Sequence, residues 1–561
     1  MITHKSPISG IAAHAHWVAT AGYDNQLILW DFNSHTAVAR VYHDHLVNQV
    51  AFNNNGNLLL TSSSDHTARL WSVPDLKLKA VFSDHGDDVE MGVFHPFDHL
   101  VATASRDHVV RVFHFSGQLL HVFKGHTADV ISVAWNHQGD EIFSSSDDGT
   151  VKRWSLLSGA LIENIDFDGV ETDTLAISAL GTIYAGNDAG EIIVVNHGSQ
   201  GNTQRYSAHE AGIKRLVLHE ESGRLISISY DRKAYIWSTQ HGVLSKLRSA
   251  DLPAEIWARS CAFLNAKTAV FATFGASYAI LDIEQSTWDL TKVGTTPGVN
   301  AVAVHSNHEW TVGDAGIVHK NGAAHKKLGS LCNFLTIVGE HLFTGGQMGA
   351  LMHAVSGELV YQHHSPLNCG AAFIRDEKNY LVVGAYTGEG IVFSVEDNGA
   401  VKLEQILSLH RNAVKSIAVD DEQLFSVCAD TAVSWFSLRD FSETGRINSA
   451  HERIANGCTS LGKGRFVSVG RDLKMRIWHE PTKFEVVDTP HERSIKCIAS
   501  SSCGGRVATG SYSGTIAIYD VASKAWKEYV RPTMSGISSL YFDSAQNVFI
   551  ASSYDGNVYR V

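Results

Sequence analysis

Short apolar stretches recur along the whole chain. Each runs into small polar residues and, in most copies, an Asp, and each is followed by a segment in which apolar and polar side chains alternate, as at Val151 and Lys152. Alternation with period two, enriched in β-branched and aromatic residues and punctuated by Gly, Asp and Asn every ten residues or so, predicts short β-strands. No stretch has the three-to-four residue apolar spacing of an amphipathic helix.

The stretches are copies of one unit. Turn residues are followed six positions later by an aromatic or apolar residue: Asp24 to Trp30, Asp65 to Trp71, Asp107 to Phe113, Asp148 to Trp154, Asp188 to Val194, Asp231 to Trp237 and Gly275 to Leu281. The second half continues with Asp314 to Lys320, Met348 to Ala354, Thr387 to Phe393, Ala429 to Trp435, Asp472 to Trp478, Ser513 to Tyr519 and Asp555 to Val561. These fourteen copies stand 34 to 44 residues apart. That period with this turn chemistry predicts four antiparallel strands per repeat, the blade of a β-propeller. Rings hold four to eight blades, so the expectation is an all-β chain of two tandem seven-bladed propellers, residues 1–284 and 285–561.

On these residues the chain resembles the WD-repeat β-propeller family. The family's Gly-His dipeptide is intact at Gly125-His126, and its His stands at His45, His85, His209, His410, His451 and His491. Its Trp-Asp dipeptide is intact at Trp30-Asp31 and relaxed at Trp71-Ser72, Trp154-Ser155 and Trp237-Ser238. The resemblance implies a structural role for the sets His126, Asp148, Trp154; His209, Asp231, Trp237; and His451, Asp472, Trp478, each a buried hydrogen-bonded network that fixes a turn. It also implies ring closure by a borrowed strand. Residues 1–5 would supply the outer strand of blade 7 and Ser286–Leu290 that of blade 14, or residues 1–5 would close blade 14 and tie the rings together. Two seven-bladed rings in this length are similar in architecture to the actin-interacting WD-repeat proteins.

Composition narrows the class. Hydrophobic residues make up 44% and charged residues 18%, enough apolar chain for a large core. No apolar run is long enough for a membrane span, and the first residues lack a signal peptide's apolar core. Seven cysteines without a C-x-x-C pair are not a disulfide framework, which points to a reducing, cytoplasmic setting. A net charge of −13 argues against nucleic acid as partner.

Propellers carry function on their loops. The position before the turn Asp holds Tyr23, Arg106, Tyr230, Phe274, Tyr386, Arg471, Tyr512 and Tyr554, residue types enriched where proteins bind each other. Three consecutive leading loops add Arg411, Arg453 and Arg493. With Arg471 they form a candidate patch for a carboxylate or phosphate. Glu452 and Glu492 weaken it. Thirty-one histidines offer only two close pairs, His14 with His16 and His363 with His364, and no third ligand at a metal-site spacing. No catalytic or nucleotide-binding motif is present, so no cofactor and no metal is expected. The reading is a non-catalytic scaffold that binds partner proteins on propeller faces and clefts. The alternative is an enzyme or accessory subunit with a pocket in a funnel or between the rings, and several titratable groups with displaced pKa values in one place would favour it.

Overall fold

The computed structural model describes residues 2–196 and 202–561. Apart from 3-10 turns at Glu220–Ser222 and Gln240–Gly242, regular structure among these residues is strand. No helix among them is long and apolar enough to cross a membrane. The strands form fourteen antiparallel sheets, of which only the last has three strands instead of four. Numbered as blades in chain order, blades 1 to 7 span residues 8–42, 47–82, 89–124, 130–166, 172–207, 213–251 and 256–289. Blades 8 to 14 span 299–327, 332–362, 367–408, 414–447, 455–488, 495–530 and 537–560.

Blade 4 shows how sequence makes the unit. Val130–Trp135, Glu141–Ser146, Thr150–Ser155 and Leu161–Asp166 pair in order. The first three strands are mostly buried, whereas the outermost alternates between exposed and half-buried residues. The turn between the second and third strands closes at Gly149, whose φ of +78° and whose contact with the Gly169 backbone leave no room for a side chain. Blades then pack face to face. Ala102, Val110 and Phe123 of blade 3 meet Val133, Ile142 and Trp154 of blade 4 in one apolar cluster.

The chain divides into two compact units, Met1–Thr296 and Pro297–Val561, of seven blades each. The division falls after residue 296, not after 284. The reason is local: Thr287–Asp289 pairs with Ala279–Asp282 as the fourth strand of blade 7, and the residues after it fold back, with Ala276 and Ser277 N–H donating to Val293 O. Neither borrowed-strand scheme is therefore formed. Ser286–Leu290 belongs to blade 7, and blade 14 has three strands. Residues 2–5 add no strand to any sheet.

Each unit closes by packing. In the first, Ile8, Ile11 and Trp30 of blade 1 bury against Val270, Ala272 and Tyr278 of blade 7, and Ile11 N–H donates to Ser260 Oγ at 3.2 Å. In the second, Ser538 of blade 14 donates to Val299 O of blade 8, and Tyr541 Oη donates to Val304 O at 3.2 Å.

Candidate functional site

A buried relay sits at the turn of several blades. In blade 4, Trp154 Nε1–H donates to Ser144 Oγ at 2.9 Å, Ser144 Oγ–H donates to His126 Nε2 at 2.7 Å, and His126 Nδ1–H donates to Asp148 at 2.8 Å. Blade 6 repeats it with Trp237, Ser227, His209 and Asp231 at 2.9, 2.8 and 2.9 Å. Blade 12 repeats it with Trp478, Ser468, His451 and Asp472 at 2.8, 2.7 and 3.0 Å. Burial alone would raise the Asp472 carboxyl, yet His451 and Arg476 hold it down at about 2. Every polar atom of the relay has a partner, and the relay recurs with the blade, so it is a turn lock.

Two locks escaped the sequence reading. In blade 2 the histidine is His43, not His45: His43 joins Asp65 at 2.9 Å and Thr61 at 2.7 Å, and Trp71 donates to Thr61 at 2.9 Å. The separation of 22 residues between His and Asp, shared with blades 4 and 6, was the available signal. In blade 1 the histidine is His4, which joins Asp24 at 3.0 Å and Thr20 at 2.7 Å, while its backbone N–H donates to Ala276 O of blade 7. The leading segment thus ties blade 1 to blade 7 through a side chain and one backbone bond.

One backbone hydrogen bond marks the loop position expected to face partners. The residue before the turn donates N–H to the carbonyl that leads the first strand: Tyr23 to Pro7, Arg106 to Asp88, Asp147 to Asp129, Asp188 to Glu171 and Tyr230 to Gly212. Asp188 is therefore a face residue and not a turn Asp, and Asp314, which donates to Gly298 O, is another. In the first unit this end is acidic and internally neutralised. Arg106 is held between Glu90, at 2.5 Å, and Asp129. Lys214 is held between Asp173 and Asp188. Burial would lower both cations, and those carboxylates keep them charged. Burial together with Glu171, Asp173 and Asp129 pushes Asp147 well above the carboxylate range. Tyr23 packs edge-on against Trp257 at 5.1 Å, and Trp257 stacks on Phe274. Tyr230 lies under the Lys214 ammonium at 5.2 Å. Arg106, expected as a partner-binding position, is engaged by two carboxylates within its own unit.

The second unit presents different chemistry at the same positions: Asp314, Gln347, Tyr386, Ala429, Arg471, Tyr512 and Tyr554. Tyr512 and Tyr554 stack at 6.4 Å, nearly parallel at 14°. Gln347 donates to Tyr386 Oη at 3.4 Å, and Lys415 lies 5.7 Å from the Tyr386 ring. Arg453 and Arg493 occupy equivalent loop positions on neighbouring blades 12 and 13, immediately before Ile454 and Ser494, whose carbonyls accept from Arg471 and Tyr512. Arg411, one residue out of that register, is exposed. Among the described residues neither Arg411 nor Arg493 makes an ion pair.

Metal-ligand chemistry also gathers where spacing gave no sign of it. His363, His364 and Glu389 bring ligand atoms within 4.8 Å of one another, as do His410, Cys428 and Asp430. His363 Nε2 pairs with Glu389 at 3.1 Å and holds that carboxyl down at about 2. Blade 11 departs from the lock. The turn pair there is Asp430 and Phe436, one residue along from the expected Ala429 and Trp435, because Phe436 pairs with Leu424 as Trp154 does with Ile142. His410 Nε2 meets Ser426 Oγ at 2.9 Å, but its Nδ1 is 3.9 Å from Asp430.

Comparison with known proteins agrees with this architecture. The family description "WD domain, G-beta repeat" matches residues 1–31, 37–72, 76–114, 117–155 and 484–520. The chain is 46% identical over 70 residues to the COMPASS component SWD3 of Saccharomyces cerevisiae, covering 12% of this chain and 22% of that protein. It is 38% identical over 104 residues to human WD repeat-containing protein 37, covering 18% and 21%. It is 30% identical over 231 residues to Protein ROOT INITIATION DEFECTIVE 3 of Arabidopsis thaliana, covering 38% and 52%. The chain thus spans from about a fifth to about half of these relatives' length, and they add nothing to the likeness with actin-interacting proteins. With its recurrent turn locks, four-stranded blades and matched repeats, the chain belongs to the WD-repeat β-propeller family.

Proposed function

We propose that the protein is a non-catalytic scaffold whose second unit docks an acidic segment of a partner protein. One observation carries the reading. At one end of the second unit the cations Arg453, Arg471 and Arg493 and the aromatic residues Tyr512 and Tyr554 stand on the neighbouring blades 12 to 14, with Tyr386 on blade 10, while Asp314 is the single carboxylate among the seven face positions. Guanidinium groups bind carboxylates in a fixed two-pronged geometry, and stacked tyrosines offer rigid apolar area at small entropic expense. Relatives named as a component of COMPASS and as a transcriptional corepressor support a place in multi-protein assemblies. Seven unpaired cysteines support a reducing compartment, the cytoplasm first.

The test is affinity capture followed by calorimetry with the captured partner's acidic segment at two salt concentrations. Converting Arg411, Arg453 and Arg493 together to Ala leaves the fold intact and weakens binding by more than tenfold, about 1.4 kcal/mol. Unchanged affinity would return these loops to solvent. A second reading, an enzyme site in the first unit, draws on the displaced groups there. Asp147, Lys214 and Tyr230 all depart from ordinary values. Against it stands the pairing of each cation with carboxylates, which is how structural ion networks also behave.

A further inference from the structure

The blade 11 turn lacks one component of the lock, and that changes what its histidine offers. In blades 4 and 6 the Trp N–H donates to the Ser hydroxyl, whose own hydrogen is left to donate to His Nε2. With that bond made, the histidine's proton is on Nδ1, facing Asp. In blade 11 the Trp position holds Phe436, which has no N–H. Ser426 is free to accept from His410 Nε2–H and to donate to Ser434, 2.8 Å away. The Nδ1 lone pair of His410 then points at the turn, and this buried nitrogen has no hydrogen-bond partner. A buried polar atom left so requires an explanation.

Beside it stands Cys428, two residues before Asp430. The residue two before the turn Asp is Ser63, Ser146 and Ser229 in blades 2, 4 and 6. His410 is 4% exposed and Cys428 fully buried, while the Asp430 side chain keeps 20% exposure toward solvent. The His–Asp separation of 3.9 Å is about one ångström longer than in the other locks. It approaches the roughly 3.3–3.6 Å between neighbouring nitrogen and oxygen ligands of a tetrahedral zinc ion with bonds of about 2.0–2.2 Å.

We infer that His410 Nδ1, Cys428 Sγ and Asp430 form a binding site for a thiophilic divalent cation of the zinc class at the turn of blade 11. A thiolate, an imidazole and a carboxylate are the donor types such an ion takes, and the Nε2–H of His410 bonded to Ser426 is the outer-shell contact that orients a ligating histidine. The three ligand atoms lie within 4.8 Å of one another, and the thiol gives up its proton to solvent on ligation. Cys428 Sγ–H donates to Asn412 O at 3.1 Å and exchanges that bond for the ion, whereas His410 Nδ1 has no bond to give up. At the His363, His364 and Glu389 group both nitrogens of His363 are engaged, Nδ1 with Ser365 and Nε2 with Glu389.

The experiment is a cobalt titration of the chelator-treated full chain in a Cys503→Ser background, which removes the one exposed thiol. The expected result is a near-ultraviolet thiolate-to-cobalt band saturating at one ion per chain and displaced by zinc. Cys428→Ser, which installs the serine that blades 2, 4 and 6 use, keeps the melting profile and abolishes the band. Asp430→Asn weakens cobalt binding at least tenfold. No band in the parent protein, or an undiminished band in Cys428→Ser, overturns the inference. Should Cys428→Ser fail to fold, the parent's band and the Asp430→Asn affinity decide it alone.

Discussion

Replacing Trp154 with Ala tests the turn lock where it is most complete. The side chain is 2% exposed, packs on Phe123 at 5.5 Å between ring centres, and donates to Ser144. A buried Trp removes about 200 Å² from water. At about 25 cal/mol per Å² that is roughly 5 kcal/mol, an upper figure because the unfolded chain already hides part of it. The lost hydrogen bond adds about 1 kcal/mol, offset by Ser144 keeping His126 as partner. The expected loss is therefore about 4 kcal/mol, within the usual 3–5 kcal/mol for a large aromatic. Against a domain stability of roughly 5–15 kcal/mol this is a severe change. Native-state hydrogen exchange read by mass spectrometry measures it, as a fall in the opening free energy of slow amides in residues 2–296. Protection unchanged within 1 kcal/mol, about a quarter of the expected loss, would refute both the burial and the lock.

His4→Ala is expected to destabilise the first unit by about 1–3 kcal/mol, because Asp24 and Thr20 lose a buried partner; an unchanged urea midpoint for that unit would contradict the tie. Acid sensitivity follows from histidines that burial holds down at about 4, His85 in the first unit and His410 and His491 in the second. Since the unfolded chain protonates near pH 6.5, stability is full above that value and falls as the pH drops toward 4. Urea midpoints at pH 7 and pH 4.5 measure this, and His491→Gln should flatten part of the fall; equal midpoints for the parent at both values would refute it.

The period of the turn chemistry made the blades legible, because each blade repeats the same local solution in contiguous sequence. Closure was not legible. The repeat as read ends on the third strand, and that suggested borrowed strands at residues 1–5 and Ser286–Leu290. The folded chain instead pairs Thr287–Asp289 with its own blade. Worn copies misled by one residue wherever the turn Asp was absent or shifted, as at Asp188, Asp314 and Asp430. There the backbone bond from the face position, or the cross-strand register, identifies the equivalent residue, and neither is visible in a linear pattern. Tyr386, Tyr512 and Arg471 were found as face residues because residue type and position agreed. Whether Arg106 was free depended on Glu90 and Asp129, whose approach only the fold determines. His410, Cys428 and Asp430 escaped because two of them lie at a turn while the third arrives from eighteen residues upstream.

Because every blade of the first unit draws all its strands from one uninterrupted stretch of chain, no hydrogen-bonded strand pair spans the gap between first and last blade. The gap between blades 1 and 7 is bridged by packing, by the Ile11 to Ser260 bond and by the His4 segment, without a direct peptide connection. The chain order of that ring is thus interchangeable: its ends already fall between blades, so joining them and reopening the ring at any other inter-blade loop would keep every sheet whole.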